Sequence, residues 1–534
     1  MPQKRPNVLW ISFEDTNPFY GCYGDAKART PNVDKLAKEG CRWPLTFAPS
    51  GVCAPTRAAI ITGMYPISVG THHMRTTHDF RNPHRPPPYS AVVPPHVKCF
   101  TEYLRAAGYY CTNNSKTDYQ FTPPLTAWDE LSDTAHWRNR PDPQQPFFAV
   151  FNLMRTHEAT MWPENTPELT FDPKDMHVPP YFPDTPKVRE ALARMYTNIA
   201  YNDGILGKLL KELEEDGLAE DTIVMHWSDH GPLPRGKRWP YDSGVHVPMI
   251  VRWPGGLKAG SVSHDLLSTI DLGPTVLSLC GVEIPHHIQG RAFLGEQAHP
   301  PREYVYLSRD RHDESYDRVR AIRDKRFKFI RNYHPELPYA LWLPYLNKHP
   351  IMQEMWRCYA AGELSGPQLL YFQERRPVEE FYDTQSDPWE INNLAGDPKY
   401  AQEISRLRTE LDRWLKEVGD YGEITEFEMV RRWHPEGKPP KTSTPLFAPI
   451  CDESPGTQPF NEGGTLRAPA LLQIHCGTQG ASIAYTTDTS ASPRWKLYTS
   501  PLRLMKGTTT LRARAARIGY EDSDERVASF NVLD

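Results

Sequence analysis

Four short runs of mostly apolar residues in the first half of the chain each end abruptly in polar side chains. They are residues 8–13, 109–112, 147–153 and 222–227. Apolar runs of this length are typical of buried parallel strands. The segments between them carry helix signals, and the longest predicted helix spans about Val188 to Glu215. Strands that alternate with helices predict an α/β fold, with a large, mixed, mostly parallel sheet covered by helices on both faces.

Polar residues follow each of these predicted strands, at the edge where open α/β sheets bind their ligands. They are Glu14 and Asp15, Lys116 and Asp118, His157, and Asp229 and His230. Hard oxygen ligands with one nitrogen or oxygen suit a divalent cation such as Ca²⁺, Mg²⁺ or Mn²⁺. Glu14-Asp15 and Asp229-His230 therefore predict a cation site, although each pair alone is a weak signal because such dipeptides in loops are usually solvated.

The last hundred residues change in composition. From Lys441 to Pro459 the chain is rich in Pro, Ser and Thr, which predicts a linker. Short strand-like runs separated by Gly, Asp and Ser follow it and predict a small β-sandwich. We therefore expect one large domain over residues 1–440, with its core at about 5–330 and a smaller C-terminal α+β subdomain at about 331–440, a linker over 441–459 and the sandwich over 460–534.

Composition excludes several classes of protein. The chain has 534 residues and a net charge of −5, from 61 basic and 66 acidic residues, which gives no reason to expect a nucleic-acid partner. Its nine cysteines are odd in number and form no C-x-x-C pair, so neither a disulfide scaffold nor a zinc ribbon is predicted. No apolar run of about 18 residues predicts a membrane span. We expect a cytoplasmic protein if the chain is complete as given, and a periplasmic or secreted one if a signal peptide was removed.

Cys53 lies at the start of a predicted short helix. It could be a small buried hydrophobic residue or a reactive group at an anion-binding helix N-terminus. Its context, C-A-P-T-R-A-A-I-I-T-G, meets the pattern C-x-P-x-R with Pro55 and Arg57. This segment resembles the signature of the type I sulfatases of the alkaline phosphatase superfamily, in which the cysteine is oxidised to formylglycine.

Other landmarks of that family follow in the same order. They are R-P-N-V-L-W-I-S-F-E-D, T-P-N-V-D-K-L-A, S-D-H-G, K-R-W-P-Y-D-S-G-V-H-V-P and E-F-Y-D-T-Q-S-D-P-W-E-I-N-N-L. Together they cover residues 5 to 415, roughly, and their recurrence in this order by chance is implausible. The resemblance implies an alkaline phosphatase-like fold, and it is strongest to bacterial glycan sulfatases and heparan N-sulfatase-like proteins.

The resemblance also implies a role for each matched position. Cys53, converted by a formylglycine-generating enzyme, would supply the attacking hydroxyl, and Arg57 would orient it. Lys116 and Lys237 would counter charge on the sulfuryl oxygens, and His157 would protonate the leaving group. One divalent cation, Ca²⁺ in preference to Mg²⁺ or Mn²⁺, would activate the nucleophile. The implied ligands of this cation are Glu14, Asp15, Cys53, Asp229 and His230.

Two positions depart from the family's pattern. Glu14 replaces the first residue of the usual Asp-Asp pair and is longer by one methylene. The family's lysine-x-histidine ends here in an aspartate, since Asp118 lies two residues after Lys116. The histidine that helps to deprotonate the nucleophile is therefore absent from its usual place. Asp118 could act as the base, His72 or His73 could supply it, or Asp118 could be a turn residue.

The substrate is predicted less directly. Trp137, Arg138, Trp162 and the segment from Tyr333 to Tyr345 could line a saccharide pocket, because sugar faces pack on aromatic rings and sulfates pair with arginine. For any single aromatic residue, a place in the core is the better interpretation. We predict a sulfatase that hydrolyses sulfate esters, or sulfamates, of a saccharide. The alternatives are a phosphonate monoester or phosphodiester hydrolase of the same superfamily and a non-catalytic glycan-binding relative.

Overall fold

The computed structural model describes residues 5–77, 85–452 and 454–534. Residues 71–77 and 85–95 are irregular. The first strands are β1 (Asn7–Phe13), β2 (Cys41–Arg42), β3 (Thr46–Phe47), β4 (Tyr110–Asn114), β5 (Glu130–Leu131), β6 (Phe147–Leu153), β7 (Thr222–Ser228), β8 (Met249–Arg252), β9 (Ser261–Val262) and β10 (Leu267–Ser268). The helices among them are α1 (Pro31–Glu39), α2 (Cys53–Thr62), α3 (Pro66–Val69), α4 (Phe100–Ala106), α5 (Pro186–Glu215), α6 (Asp242–Val245) and α7 (Leu272–Leu279).

Eight of these strands form the main sheet, in the order β5-β4-β6-β1-β7-β8-β2-β9. The five strands from β5 to β7 pair in parallel, and β8 is antiparallel to both of its neighbours. The predicted mixed, mostly parallel α/β sheet is therefore confirmed. Because β4, β6, β1 and β7 are parallel, their carboxyl ends lie at one edge of the sheet.

Both faces of the sheet are buried, which explains why β1 and β6 read as apolar runs rather than as alternating strands. Along β1, Leu9 and Ile11 pack on one face into a core shared with α1 and α5. Val8 and Trp10 pack on the other face into a core shared with α2, α4 and α7. The sheet lies between two helical layers and gives rigid support to the loops at its carboxyl edge.

The helix that carries the cysteine motif starts at the predicted place. Helix α2 begins at Cys53 itself, after Val52 in extended backbone. Proline is readily accommodated in the first turn of a helix, where its missing N–H has no helical partner. All ten residues of α2 are buried. The thiol is therefore part of a buried helix start.

A second, antiparallel sheet follows the main one. It contains β11 (Val305–Arg309), β12 (Val319–Arg323), β13 (Phe327–Asn332) and β14 (Glu379–Asp383) in sequential order. The accompanying helices are α8 (Pro344–Asn347), α9 (Pro350–Ala360), α10 (Ala401–Val418) and α11 (Glu426–Trp433). The apolar face of α10 packs on this sheet. The sheet begins at Val305, so the division predicted near residue 330 falls inside β13.

The C-terminal strands form two facing sheets. The strands are β15 (Leu446–Cys451), β16 (Ser454–Pro455), β17 (Gly463–Arg467), β18 (Ala470–His475), β19 (Ser482–Thr486), β20 (Lys496–Leu497), β21 (Leu502–Leu504), β22 (Gly507–Ala516) and β23 (Arg526–Leu533). Their sheet orders are β16-β15-β18-β21 and β17-β23-β22-β19-β20, around a shared apolar core. The prediction of a linker over residues 441–459 is wrong at β15, because Phe447 is buried in this core and β15 pairs with β18.

The sandwich contacts the main sheet's helical layer through polar side chains. Lys98 donates a hydrogen bond to Ser482 at 2.9 Å, and Arg105 donates to the carbonyl oxygen of Trp495 at 2.7 Å. Among the residues that the structure describes, no helix combines the length and the apolar composition needed to cross a membrane.

Candidate active site

The carboxyl ends of β1 and β7 bring two predicted ligand pairs together. Asp15 donates its backbone N–H to Oδ1 of Asp229 at 3.0 Å, across the gap between the two strands. The backbone of Asp15 is in the left-handed region, with φ of 48°, which aspartate tolerates better than most residues. The Asp15 carboxylate lies beside His230, with Oδ1 3.2 Å from Nε2 of the imidazole.

Helix α2 supplies the cysteine. Cys53 is 2% exposed, and its Sγ lies 3.1 Å from Nε2 of His230 and 3.9 Å from Oδ1 of Asp15. Nδ1 of His230 donates to the carbonyl oxygen of Gly231 at 3.0 Å, so the lone pair of the neutral ring is on Nε2, which faces the cysteine. Burial raises the pKa of the Cys53 thiol well above its usual value.

Five of the predicted ligands meet in one group, which we call the strand-end cluster. Their ligand atoms all lie within 4.8 Å of one another, and all five residues are buried. Opposite ligands of a Ca²⁺ ion lie about 5 Å apart, since each Ca–O distance is about 2.4 Å. Three carboxylates, one imidazole nitrogen and one group at position 53 therefore fit a single hard divalent cation. The members of the cluster are Glu14, Asp15, Cys53, Asp229 and His230.

Arg57 ties the cluster to three strands. Its guanidinium contacts the Glu14 carboxylate, donates to Asp229 at 3.1 Å and donates to Oδ1 of Asn152, on β6, at 3.0 Å. Burial raises the pKa of Glu14, but the charges of Arg57 and Lys116 outweigh it and hold that pKa well below its usual range. Glu14 is therefore ionised although it is fully buried.

Two lysines complete the cationic side of the site. Lys116, after β4, contacts Glu14, and Lys237 donates to Asp15 at 2.5 Å and lies 3.0 Å from Glu158. Burial lowers the pKa of Lys237, but Asp15 and Glu158 outweigh it and raise that pKa above its usual value. Both lysines, predicted from the resemblance alone, reach the strand-end cluster.

His157 lies after β6, beside the cluster. Its Nδ1 accepts the backbone N–H of Ala159 at 3.2 Å, so in the neutral ring the proton is on Nε2. The next residue, Glu158, donates its N–H to Asp15 at 2.7 Å, which ties this loop to β1. Burial lowers the pKa of His157. The histidine is thus held at the sheet edge with one donor nitrogen available.

The groups considered for the missing base differ in their surroundings. Asp118 has a side chain that is 34% exposed, lies 3.7 Å from the Lys116 ammonium and has φ of 54°. His72 and His73 are buried and contact each other, with ring centroids 4.1 Å apart. Burial lowers the pKa of His72 to about 3. In the described part of the chain, neither histidine ring hydrogen-bonds to the strand-end cluster, whereas Asp118 adjoins a lysine that contacts it.

The residues predicted to bind a saccharide fall into two groups. Trp162 and Tyr345 lie together, with ring centroids 5.4 Å apart, and Tyr345 is 6.4 Å from the ring of His157. By contrast, Trp137 is fully buried under β6, and Arg138 pairs with Asp216 at 2.8 Å on the surface. Trp137 therefore takes the place in the core that was the better interpretation of any single aromatic residue, and neither it nor Arg138 lies with Trp162 and Tyr345.

Sequence reasoning missed three buried residues of the site. Glu158 binds Arg238 at 2.6 Å and Lys237 at 3.0 Å, which makes it the partner of two cations. His312 lines the same cavity as Cys53 and His157. Adjacency to a predicted site residue could have indicated Glu158 and Arg238. No local signal indicated His312.

Comparison with known families and proteins agrees with this geometry. The sequence matches the family described as Sulfatase over residues 6–128 and 112–282. It matches the family described as N-sulphoglucosamine sulphohydrolase, C-terminal, over residues 230–366. Residues 461–527 match the Chitobiase/beta-hexosaminidase C-terminal domain.

Individual relatives cover most of the chain. An ulvan-active sulfatase of Formosa agariphila is 41% identical over 97% of this chain and 90% of its own length. The human N-sulphoglucosamine sulphohydrolase is 28% identical over 78% of this chain and 91% of its own length. A structure solved in complex with its substrate D-glucosamine-2-N,6-O-disulfate superposes with a TM-score of 0.56 and 20% identity, covering 79% of this chain and 100% of that one, and so shares the fold. The chain belongs to the sulfatase family and is a sulfuric ester hydrolase.

Proposed function

We propose that this protein removes sulfate from a sulfated saccharide at the strand-end cluster. The observation that carries the proposal is the position of Cys53, whose Sγ lies 3.1 Å from His230 within a group of three buried carboxylates. The names of the relatives, an ulvan-active sulfatase and an N-sulphoglucosamine sulphohydrolase, support a glycan as substrate, with either an O-sulfate or an N-sulfate as the group removed.

Cys53 is proposed as a precursor of the nucleophile. A buried thiol with a raised pKa is a poor nucleophile, since the thiolate is the reactive form. Oxidation to formylglycine by a formylglycine-generating enzyme would replace it with an aldehyde whose hydrate supplies a hydroxyl at the same place. That enzyme is therefore a proposed partner. Arg57, one turn along α2, holds the carboxylates on either side of this position.

The strand-end cluster is proposed to hold one divalent cation, Ca²⁺ in preference to Mg²⁺ or Mn²⁺. When bound, the cation would lower the pKa of the attacking hydroxyl and polarise a sulfate oxygen. The ligand set is dominated by carboxylate oxygens, which hard cations prefer. Glu14 is one methylene longer than aspartate at this position. One of its carboxylate oxygens contacts Arg57 and the other contacts Lys116, so these two side chains restrict how the carboxylate can turn toward the ion.

Charge balance explains why the site would attract a sulfate. Three carboxylates in the cluster face three cationic side chains, Arg57, Lys116 and Lys237, so the protein groups are close to neutral as a set. One divalent cation would leave a net positive charge, which favours the monoanionic sulfate ester. The two lysines are then free to stabilise charge on the sulfuryl oxygens as the ester bond breaks.

His157 is proposed as the group that protonates the leaving oxygen. Its donor nitrogen is Nε2, because Nδ1 is occupied by the N–H of Ala159. A saccharide alkoxide is a poor leaving group, so a positioned proton donor accelerates its departure. Trp162 and Tyr345 beside it offer an aromatic surface for the sugar ring, and Arg75 lies 4.0 Å above Tyr345.

We also propose that residues 1–440 form the catalytic unit, with the C-terminal sandwich as an appended unit. The match of residues 461–527 to a domain of glycan-processing enzymes supports this division. A periplasmic or secreted location suits the proposal, because polymeric glycans are met outside the cytoplasm.

The test is release of inorganic sulfate by protein produced together with a formylglycine-generating enzyme. Sulfated mono- and disaccharides, a phosphonate monoester and a phosphodiester are compared under the same conditions, with Cys53→Ala as the matched inactive control. Sulfate release from a saccharide by the wild type, with none from Cys53→Ala, supports the proposal. Faster turnover of the phosphonate or the phosphodiester favours the phosphorus hydrolase. Binding of saccharides without turnover of any ester favours the non-catalytic relative.

A further inference from the structure

His312 lies in the loop between β11 and β12 and reaches the cavity that contains Cys53. Its side chain is 1% exposed, and the same small cavity is lined by His157 and Lys237. The loop comes from the antiparallel sheet, whereas the ligand pairs of the strand-end cluster follow strands of the main sheet. No motif of the sequence singled out this residue.

Neither ring nitrogen of His312 has a hydrogen-bond partner in the described structure. Buried polar groups nearly always have partners, and an unpaired buried donor or acceptor is destabilising. The other two histidines of the site differ, since His230 donates to Gly231 and His157 accepts from Ala159. An unpaired imidazole that lines a catalytic cavity is well placed to receive its partners from a ligand.

The loop around His312 is fixed at both sides. Arg311 accepts the N–H of Met74 at its carbonyl oxygen, at 2.9 Å, and its guanidinium binds Glu426 at 2.6 Å. On the other side, Asp313 pairs with Arg75 at 3.2 Å. These contacts hold the backbone on either side of the ring, so the imidazole is positioned in advance of binding.

The surroundings of His312 favour a neutral ring. Three arginines, Arg309, Arg238 and Arg311, lie near it, and each is paired with a carboxylate elsewhere. Burial and these cations hold the pKa of His312 well below its usual value. A neutral imidazole has one N–H donor and one lone-pair acceptor. That combination matches a hydroxyl group, which both accepts and donates, better than it matches a sulfate, which only accepts.

We propose that His312 is a specificity-determining residue that hydrogen-bonds a hydroxyl group of the sugar that carries the sulfate. This inference rests on the proposed function, because it requires a saccharide in the cavity above Cys53. His312 would thus bind the sugar, while the lysines and the cation would bind the sulfate group. A substrate without a hydroxyl at that place loses the interaction and leaves the imidazole unpaired.

The test compares kcat/KM for a sulfated saccharide and for an aryl sulfate that has no hydroxyl group, in His312→Leu and His312→Gln. We expect His312→Leu to lower kcat/KM for the saccharide about 10- to 100-fold, since the substrate hydroxyl loses its hydrogen-bond partner in a buried site. The loss for the aryl sulfate should be at least about tenfold smaller. His312→Gln keeps an amide donor and acceptor and should recover part of the saccharide activity.

Controls separate this role from a structural one. His434→Ala removes another buried histidine whose Nε2 has no partner but which does not line the cavity of Cys53, so both activities per folded molecule should stay within about twofold of the wild type. Thermal unfolding of each variant shows whether the fold survives. Equal losses on both substrates, or no loss on either, would overturn the proposal. If the wild type released no sulfate from any saccharide, the proposed function would fail, and the role of His312 with it.

Discussion

Replacing Arg57 with lysine tests whether the motif arginine serves catalysis or only the fold. Arg57 is 4% exposed and contacts Glu14, Asp229 and Asn152 through three different nitrogens. Lysine keeps the charge, but its single ammonium cannot reproduce the planar fork. We expect it to keep one of the carboxylate contacts and to lose the others.

The magnitude follows from these contacts. A hydrogen bond to a charged group contributes about 1.5–3 kcal/mol, and breaking a buried ion pair costs about 3–5 kcal/mol. Because Arg57→Lys retains one charged contact, we expect the free energy of unfolding to fall by about 2–4 kcal/mol. The turnover number should fall about 100-fold or more, since the lysine ammonium cannot hold both carboxylates in place around position 53.

Urea unfolding and sulfate release measure the two effects separately. Arg302→Lys is the matched control: Arg302 is also buried and binds Asp271 through two nitrogens, at 2.5 and 2.7 Å, on another part of the fold. We expect it to lose a similar free energy of unfolding while turnover per folded molecule stays near the wild-type value. If Arg57→Lys lost stability but kept turnover within about threefold, less than removal of one preorganised charged donor costs, the catalytic role assigned to Arg57 would be wrong.

Three further predictions address the nucleophile's neighbours. Exhaustive chelation should abolish turnover, and Ca²⁺ should restore it with about one equivalent bound per chain by elemental analysis, because the strand-end cluster fits one ion; full activity after chelation would contradict the site. His157→Gln should lower kcat/KM much more for a saccharide sulfate than for a nitrophenyl sulfate, whose leaving group needs no proton; equal losses would rule out the general acid. Asp118→Asn should give a burst of desulfated product followed by slow turnover if Asp118 is the base, with little change in thermal stability because asparagine also tolerates a φ of 54°. Unchanged steady-state kinetics would exclude that role and leave His72 and His73 as the groups to test.

The parts of the fold that could be predicted are the strands that are buried on both faces, because nearly all of their residues are apolar. The bounds of β6 agree with the predicted run, and β7 differs by one residue, because strands buried on both faces are continuous apolar segments that end at charged side chains. Strand β15 was missed because its six residues include Pro449 within a segment rich in turn-forming residues. Only its pairing with β18 and the burial of Phe447 make it a strand.

The same contrast holds in the site. The strand-end cluster could be predicted because its members follow parallel strands in adjacent pairs or lie in a recognisable motif. His312 could not, since it lies in a loop whose neighbouring Arg311 binds Glu426, 115 residues further along the chain, and the local sequence gives no sign of that contact. Trp137 shows why a single aromatic residue is a weak sign of a sugar site, because its indole lies fully buried in the core under β6.

The most direct test of the account is mass spectrometry of the Cys53 peptide combined with sulfate release from a sulfated saccharide by the same sample. In protein produced together with a formylglycine-generating enzyme, we expect the mass of formylglycine at position 53 and sulfate release in proportion to the converted fraction. Cys53→Ala should release none. Sulfate release by the alanine variant at the wild-type rate, or by fully unconverted wild-type protein, would contradict the assignment of position 53 as the source of the nucleophile.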